Sequence, residues 1–333
     1  MFASSSSCTR NGVIYCFNRH FSSQRIPNVI GELLDRYSKE RPHKNALKFL
    51  ETTKNEAVFF TFSEVQKQVQ AVAQGLLELG YGPGKRLACC LPLGSPEFVF
   101  ACLGALKSRT TLISLDFERS SNQIDPSDVC HALERYKPKG FILWHGYKST
   151  NNKGSQDNYV GPDLWTQLFP ELVDFGKGLN GFTRNTGRPF SSRRFPSLHH
   201  IFHSGNANLP GLIQYRNLLV YNNEAISSNT ISDLSPDEKA VLFLSSEDAK
   251  EYSERDISDV VQRCLQAIQY SSNHNTQQGR VVIAPDSKST MTYLAYIIAS
   301  LRQQTLAIIP SLHHNDTAIE LVTKTENAQK AKQ

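Results

Sequence analysis

The sequence predicts an α/β fold with doubly wound, mostly parallel sheets. Three observations predict it. Apolar residues at helical spacing recur along the chain, short β-rich runs stand between them, and the turns joining the two are brief, an order that produces parallel strands with helices on both faces. From Phe62 the positions Val65, Val69, Val72, Ala73 and Leu76 form one apolar stripe, which Gly80 and Gly82 bring to an end. GKRLACCLP follows as a strand, then a helix opened by Ser95 and Pro96 and running to about Lys107, then the β-rich TTLISLD. A helix over 126–136 and the strand FILWH repeat the order.

Beyond His145 the pattern loosens into the polar stretch GYKSTNNKGSQDN, read as a surface loop, with a helix around Leu164 to Val173 after it. Phe195 to His203 reads as a buried strand. Ile257, Val260, Val261, Cys264, Leu265 and Ile268 make a helical stripe, with Ser253 and Asp256 at capping-box positions. VVIAP, an apolar helix from about Thr290 to Leu301, and TLAIIPS complete the alternation.

With 333 residues, 39% of them hydrophobic, the chain has ample material for a core, so disorder is not the expectation. FVFACLGAL and YLAYIIASL fall far short of the roughly 20 residues that span a bilayer, so no transmembrane segment is expected. A formal charge of +5 is too small to argue for nucleic acid by itself. The first acidic residue is Glu32, preceded by Arg10, Arg19, Arg25 and a run of serines, the composition of a mitochondrial transit peptide. NRHFSS places its cleavage after Phe21, giving a presequence over 1–21, an α/β domain over 22–315 and a polar tail over 316–333. The alternative is a plain polar terminus. Cys89, Cys90, Cys102, Cys130 and Cys264 lie in apolar contexts without a CxxC, which suits a reducing compartment such as the mitochondrial matrix or the matrix side of the inner membrane.

GKGLNGFTRNTGRPFSSRR carries Lys177, Arg184, Arg188, Arg193 and Arg194 with no acidic residue. It reads either as a solvated loop or as a contact for RNA, anionic lipid headgroups or an acidic partner. His199 and His203, beside His200, have a metal-like interval, but no glutamate base stands between them and the segment reads as a strand, so no metal is expected.

Several stretches taken together resemble the amino-terminal part of the AMP-forming acyl-CoA synthetases, the adenylating superfamily. VFFTFSEVQKQVQAVAQGLLELGYGPGKRLACCLP and SPEFVFACLGALKSRTTLISLDF are similar to its helix, GPGD-type turn, strand ending in Pro, and "xEFVxAxLGxxKxG" helix. FPSLHHIFHSG and VVIAPDSKSTMTYLAYIIASLRQQTLAIIPS resemble the stretches on either side of its phosphate loop, so the likeness runs from about Ile26 to Ser311. In that register VLFLSSEDAKEYSERDI falls on the family signature TSGTTGxPKG, whose amides and hydroxyls wrap the phosphates of ATP. Glycines are needed there because successive amides reach an anion only where side chains do not obstruct the approach.

Here Ser245 survives, Ser246 and Ala249 stand at glycine positions, Glu247 and Asp248 at threonine positions, and Lys250 follows in a loop about four residues shorter. Each carboxylate placed about 4 Å from a phosphate opposes it by roughly 4 kcal/mol at an effective dielectric of 20. GYGPGKR is no substitute, since its spacing is wrong for a P-loop and Arg86 stands where Ser or Thr would bind magnesium. No residue matches the family's later adenine-binding, ribose-binding or catalytic-lysine motifs.

The expectation is therefore a non-catalytic acyl-CoA-synthetase-like protein with no cofactor. It would serve as a structural or assembly subunit of a large mitochondrial complex such as a respiratory complex, the ATP synthase or the mitoribosome, with other subunits as partners. The alternatives are a residual acyl-CoA ligase or a protein that still binds acyl groups, CoA or nucleotide, and an incomplete sequence of a true synthetase. A serine hydrolase is disfavoured because GxSxG is missing.

Overall fold

Two larger sheets with helices between them, a further helical layer outside and a small two-stranded sheet make up the described residues. The computed structural model describes residues 31–51, 56–116, 123–144, 148–149, 163–172, 192–206, 209, 211–221, 239–245, 249–274, 280–282 and 290–310. The expected presequence, most of the basic segment and the polar tail lie outside these residues.

The chain enters through helix α1 (Gly31–Glu40) and the antiparallel pair β1 (Asn45–Glu51) and β2 (Glu56–Thr61). Helix α2 (Phe62–Glu78) starts at Thr61, whose hydroxyl accepts from the Glu64 amide while Glu64 Oε2 accepts from the Thr61 amide at 2.8 Å, a complete capping box. It ends at Leu79 and Gly80, the glycine taking a φ of +72°. Strand β3 (Arg86–Cys90) leads to α3 (Pro96–Ser108), where Ser95 Oγ accepts from the Phe98 amide and Pro96 fills the first turn. Strand β4 (Thr111–Asp116), the short β5 (Gln123–Ile124), α4 (Pro126–Tyr136), β6 (Gly140–Leu143) and the short β7 (Lys148–Ser149) continue the alternation.

Helix α5 is brief (Asp163–Leu168), because the helix breaks at 169–170 before the chain turns helical again at 171–172. The strand expected over Phe195 to His203 is confined to β8 (His200–His203). Ser192 Oγ accepts from the amides of Arg194 and Phe195, and Leu198 N donates to Phe195 O, so the chain turns before it can pair. Strand β9 (Ile213–Gln214), a 3₁₀ turn (Tyr215–Leu218), β10 (Lys239–Ser245), β11 (Ala249–Ser253), α6 (Glu254–His274), β12 (Arg280–Val282), α7 (Thr290–Gln303) and β13 (Leu306–Pro310) complete the order.

The larger sheet runs β11-β10-β4-β3-β6-β8-β9, and the smaller runs β12-β13-β1-β2. All pairs are parallel except β1 with β2 and β10 with β11. Successive residues of the central strands divide between two cores, as the two-residue period of a strand requires. Leu87, Cys89, Leu112, Ile142 and Phe202 pack inward against α2, α3, α6, α7 and the smaller sheet. Ala88, Cys90, Ile113, Phe141 and Ile201 pack outward against α4 and α5.

Helix α3 lies between the sheets, and every residue from Phe98 to Ser108 is buried, which explains its apolar composition on all sides. It meets α2 closely at Gly104. A Cβ built there would stand 2.6 Å from Val72 Cβ and 3.4 Å from the Ala73 amide nitrogen, so only glycine allows this approach. The long-range closure comes from β1, whose Leu47 pairs with Ala307 of β13, and from Tyr293, which donates to Leu93 O at 2.6 Å.

Candidate functional site

The stretch that sequence singles out as a phosphate turn is the connection of a β-hairpin. β10 lies parallel to β4, with Ser245 opposite Asp116 at the carboxyl end of the sheet, where open α/β sheets place ligands. β11 then folds back antiparallel on β10, pairing Val241 with Tyr252, Leu242 with Glu251, Phe243 with Lys250 and Leu244 with Ala249. Residues 246–248 alone join the two strands. Ser245 thus ends β10, Ala249 and Lys250 belong to the edge strand β11, and Ser246, Glu247 and Asp248 lie outside the described residues. A three-residue connection is among the shortest that an antiparallel pair accepts, and it offers few amides to converge on a phosphate.

The sequence reading of this region foresaw a strand, a turn and a capped helix, and missed the second strand. AKEYS opens with three poor strand formers, and pairing with β10 overrides their preference. The cap itself is present: Asp256 Oδ2 accepts from the Ser253 amide at 2.8 Å and the Ser253 hydroxyl accepts from the Asp256 amide at 3.2 Å.

Topology marks a second place. β3 leads through α3 to β4 on one side, and the chain then crosses through α4 to β6 on the other side of β3, so the connections part at the carboxyl ends of β3 and β6, where open α/β sheets form their ligand crevice. Near it, between the amino-terminal turn of α3, the residues after β8 and the 3₁₀ turn, is an open cavity of about 270 Å³ lined by Phe60, Phe100, Tyr215, Leu219, Glu97 and Arg216 among others. Tyr215 Oη donates to Glu97 O at 3.4 Å, which ties the 3₁₀ turn to α3. Sequence reasoning missed this site because its walls come from four distant segments, none with a motif of its own.

Of the basic segment, Arg193 and Arg194 are described, and Lys177, Arg184 and Arg188 are not. Arg194 Nε meets Glu134 Oε1 at 2.8 Å and its guanidinium lies 5.2 Å from the Phe195 ring centroid, so its charge is engaged on α4. Arg193 is exposed, and its amide donates to Glu171 Oε1 at 3.1 Å.

The histidines stand on β8 or just before it. His200 faces the inner core and shares a 3.1 Å hydrogen bond between Nδ1 and Tyr81 Oη, while His203 packs on the opposite face with its ring centroid 6.4 Å from that of Trp165. His199 and His203 share a face but are separated by four strand positions, about 13 Å, too far for one metal ion. Burial, then the neighbouring Lys139 ammonium and His199, push the His200 imidazole down to about 4. Lys139 donates to Leu79 O at 2.7 Å and Gly80 O at 2.9 Å, which satisfies carbonyls at the end of α2. This cluster sits at the amino ends of β6 and β8, away from the crevice.

Residues 34–165 match the family model described as AMP-binding enzyme. The likeness is to the adenylating, AMP-binding enzymes. The matched residues end before β10, so the family model covers α2, α3 and the central strands and not the hairpin. A curated relative, the mitochondrial medium-chain acyl-CoA ligase ACSF2 of Mus musculus, is 25% identical over 194 residues, which are 58% of this chain and 27% of that protein. Among solved structures, coronafacic acid ligase from Pectobacterium brasiliense aligns with a TM-score of 0.57 at 11% identity, over 89% of this chain and 47% of that one. Acetoacetyl-CoA synthetase from Streptomyces lividans aligns at 0.57 and 18% identity, over 85% of this chain and 38% of that one. The luciferase-like enzyme of the mealworm Zophobas morio aligns at 0.58 and 12%, over 90% and 57%. These structures establish the fold, that of the amino-terminal part of acyl-CoA ligases. The chain spans about a quarter of the length of the curated relative and roughly half of these solved chains.

Proposed function

We propose that this acyl-CoA-synthetase-like protein does not adenylate a substrate and that it serves as a structural or assembly subunit of a large mitochondrial complex. The hairpin carries the reading. Where the resemblance puts a glycine-rich phosphate loop, three residues link β10 to β11, with Leu244 already paired to Ala249. The two carboxylates in that link, Glu247 and Asp248, oppose a polyphosphate, and Lys250 balances one of them at most. Close packing is kept where folding needs it, at Gly104 and along the buried α3.

A partner-binding role is supported by strand β2. It is an edge of the smaller sheet, and its Val58 and Phe59 are 43% and 46% exposed, whereas edge strands of soluble proteins usually carry charge or cover. Mitochondrial location is supported by the Arg- and Ser-rich composition before Glu32 and by the mitochondrial location of the curated relative.

The test is the native size of the protein in a mitochondrial extract, read by blue-native electrophoresis with the co-purifying chains identified. Migration within a stable large assembly is expected. A free monomer, or absence from mitochondria, contradicts the proposal.

A further inference from the structure

The cavity beside α3 holds two opposite charges that do not meet each other. Glu97 is in the first turn of α3 and Arg216 is in the 3₁₀ turn, and both line the same cavity. Among the described residues, no hydrogen bond or ion pair engages the Glu97 carboxylate or the Arg216 guanidinium, and the two are not within 4.0 Å of each other. The hydroxyl of Tyr215, the residue before Arg216, donates to the backbone carbonyl of Glu97 at 3.4 Å, which ties the 3₁₀ turn to α3. Gln68, Ser204 and Asn206 add polar groups to the lining, and the rest of it is largely apolar. Phe60 and Phe100 pack edge to face at 5.0 Å, and Leu219 adds an aliphatic surface.

We infer that this cavity is a binding site for a small zwitterion bearing an apolar group, with its ammonium at Glu97, its carboxylate at Arg216 and its apolar part against Phe60 and Phe100. A ligand with a single charge leaves one lining charge unmatched, and a neutral one leaves both. The guanidinium suits a carboxylate because its donors lie in a plane that two oxygens can meet together. At about 270 Å³ the cavity is near the lower bound for ligand pockets, which limits the occupant to a molecule of roughly the size of an aromatic amino acid. The site does not involve the hairpin, so it stands whether or not the protein adenylates.

Calorimetric titration of the full-length protein with L-phenylalanine, phenethylamine and hydrocinnamate tests it. L-Phenylalanine is expected to bind with a Kd of about 0.1–1 mM, and the two singly charged analogues about tenfold more weakly. Glu97→Gln should weaken L-phenylalanine and phenethylamine about tenfold and leave hydrocinnamate unchanged, while Arg216→Gln should weaken L-phenylalanine and hydrocinnamate and leave phenethylamine unchanged. Both side chains are at the surface of the cavity, so unchanged circular dichroism will separate loss of binding from loss of fold. Absence of saturable L-phenylalanine binding at about 10 mM, or binding indifferent to both substitutions, overturns the inference.

Discussion

Replacing Gly104 by alanine tests how closely the scaffold depends on the approach of α2 and α3. Taken alone, alanine favours a helix over glycine by about 1 kcal/mol. Against this stands the geometry: the added methyl would sit 2.6 Å from Val72 Cβ, an atom fixed to the helix backbone, and 3.4 Å from the Ala73 nitrogen. Val72 is β-branched and holds one rotamer in a helix, so it cannot swing aside and the helices must separate. Overpacking of this kind costs about 1–3 kcal/mol, and with fixed neighbours the upper end applies, which leaves a net loss of about 2 kcal/mol. At roughly 2–4 °C per kcal/mol for a domain of this size, Tm should fall by about 4–8 °C. Val72→Gly removes the obstructing Cβ, so the double variant should recover about 1–2 kcal/mol relative to the sum of the singles. Thermal unfolding followed by circular dichroism reads both. A Tm for Gly104→Ala at or above that of the unaltered protein, or zero coupling with Val72→Gly, refutes the packing argument.

Two further substitutions probe the caps and the buried imidazole. Thr61→Ala should cost about 1 kcal/mol near neutral pH by removing the capping box of α2. Hydrogen bonds from the Thr61 amide and hydroxyl hold the Glu64 carboxyl below its ordinary value of 4.5. A depressed folded value means stability that is present above about pH 4.5 and lost as pH falls through the folded value, so the difference between the two proteins should shrink in acid. Equal differences in urea midpoint at neutral and acid pH would count against it. His200 is also depressed, from 6.5 to about 4, so the unfolded chain binds the proton first and stability should fall as pH drops from 6.5 towards 4. Partial exposure screens the effect to about 1–2 kcal/mol. His200→Gln, which keeps an acceptor for the Tyr81 hydroxyl, should flatten that slope, and an unchanged pH profile would contradict the assignment.

What could be read in the sequence was local. The stripe from Val65 to Leu76, the Ser95 and Pro96 opening of α3, the Ser253 and Asp256 cap and the apolar runs of β3, β4 and β6 all reappear as elements, because period and capping chemistry are set within a few residues. The capping box at Thr61 and Glu64 was legible too, in the spacing of TFSE, and was missed. Pairing between distant segments was not legible. Nothing in NALKFLE or LAIIP announces that Leu47 lies beside Ala307, and AKEYS becomes a strand through its partner rather than its own preference. The same holds for the site. The hairpin link reads as a defective phosphate loop because the glycine positions of the family signature carry other residues in one contiguous stretch, whereas Glu97 and Arg216 come to line one cavity only through the fold.

The central proposal is that the protein does not adenylate a substrate, and the short β10 to β11 connection is what carries it. Calorimetric titration of the full-length protein with MgATP, repeated in the presence of a medium-chain fatty acid, tests it most directly. No saturable heat up to about 5 mM is the predicted result, and saturable binding with a Kd below about 1 mM would contradict the account.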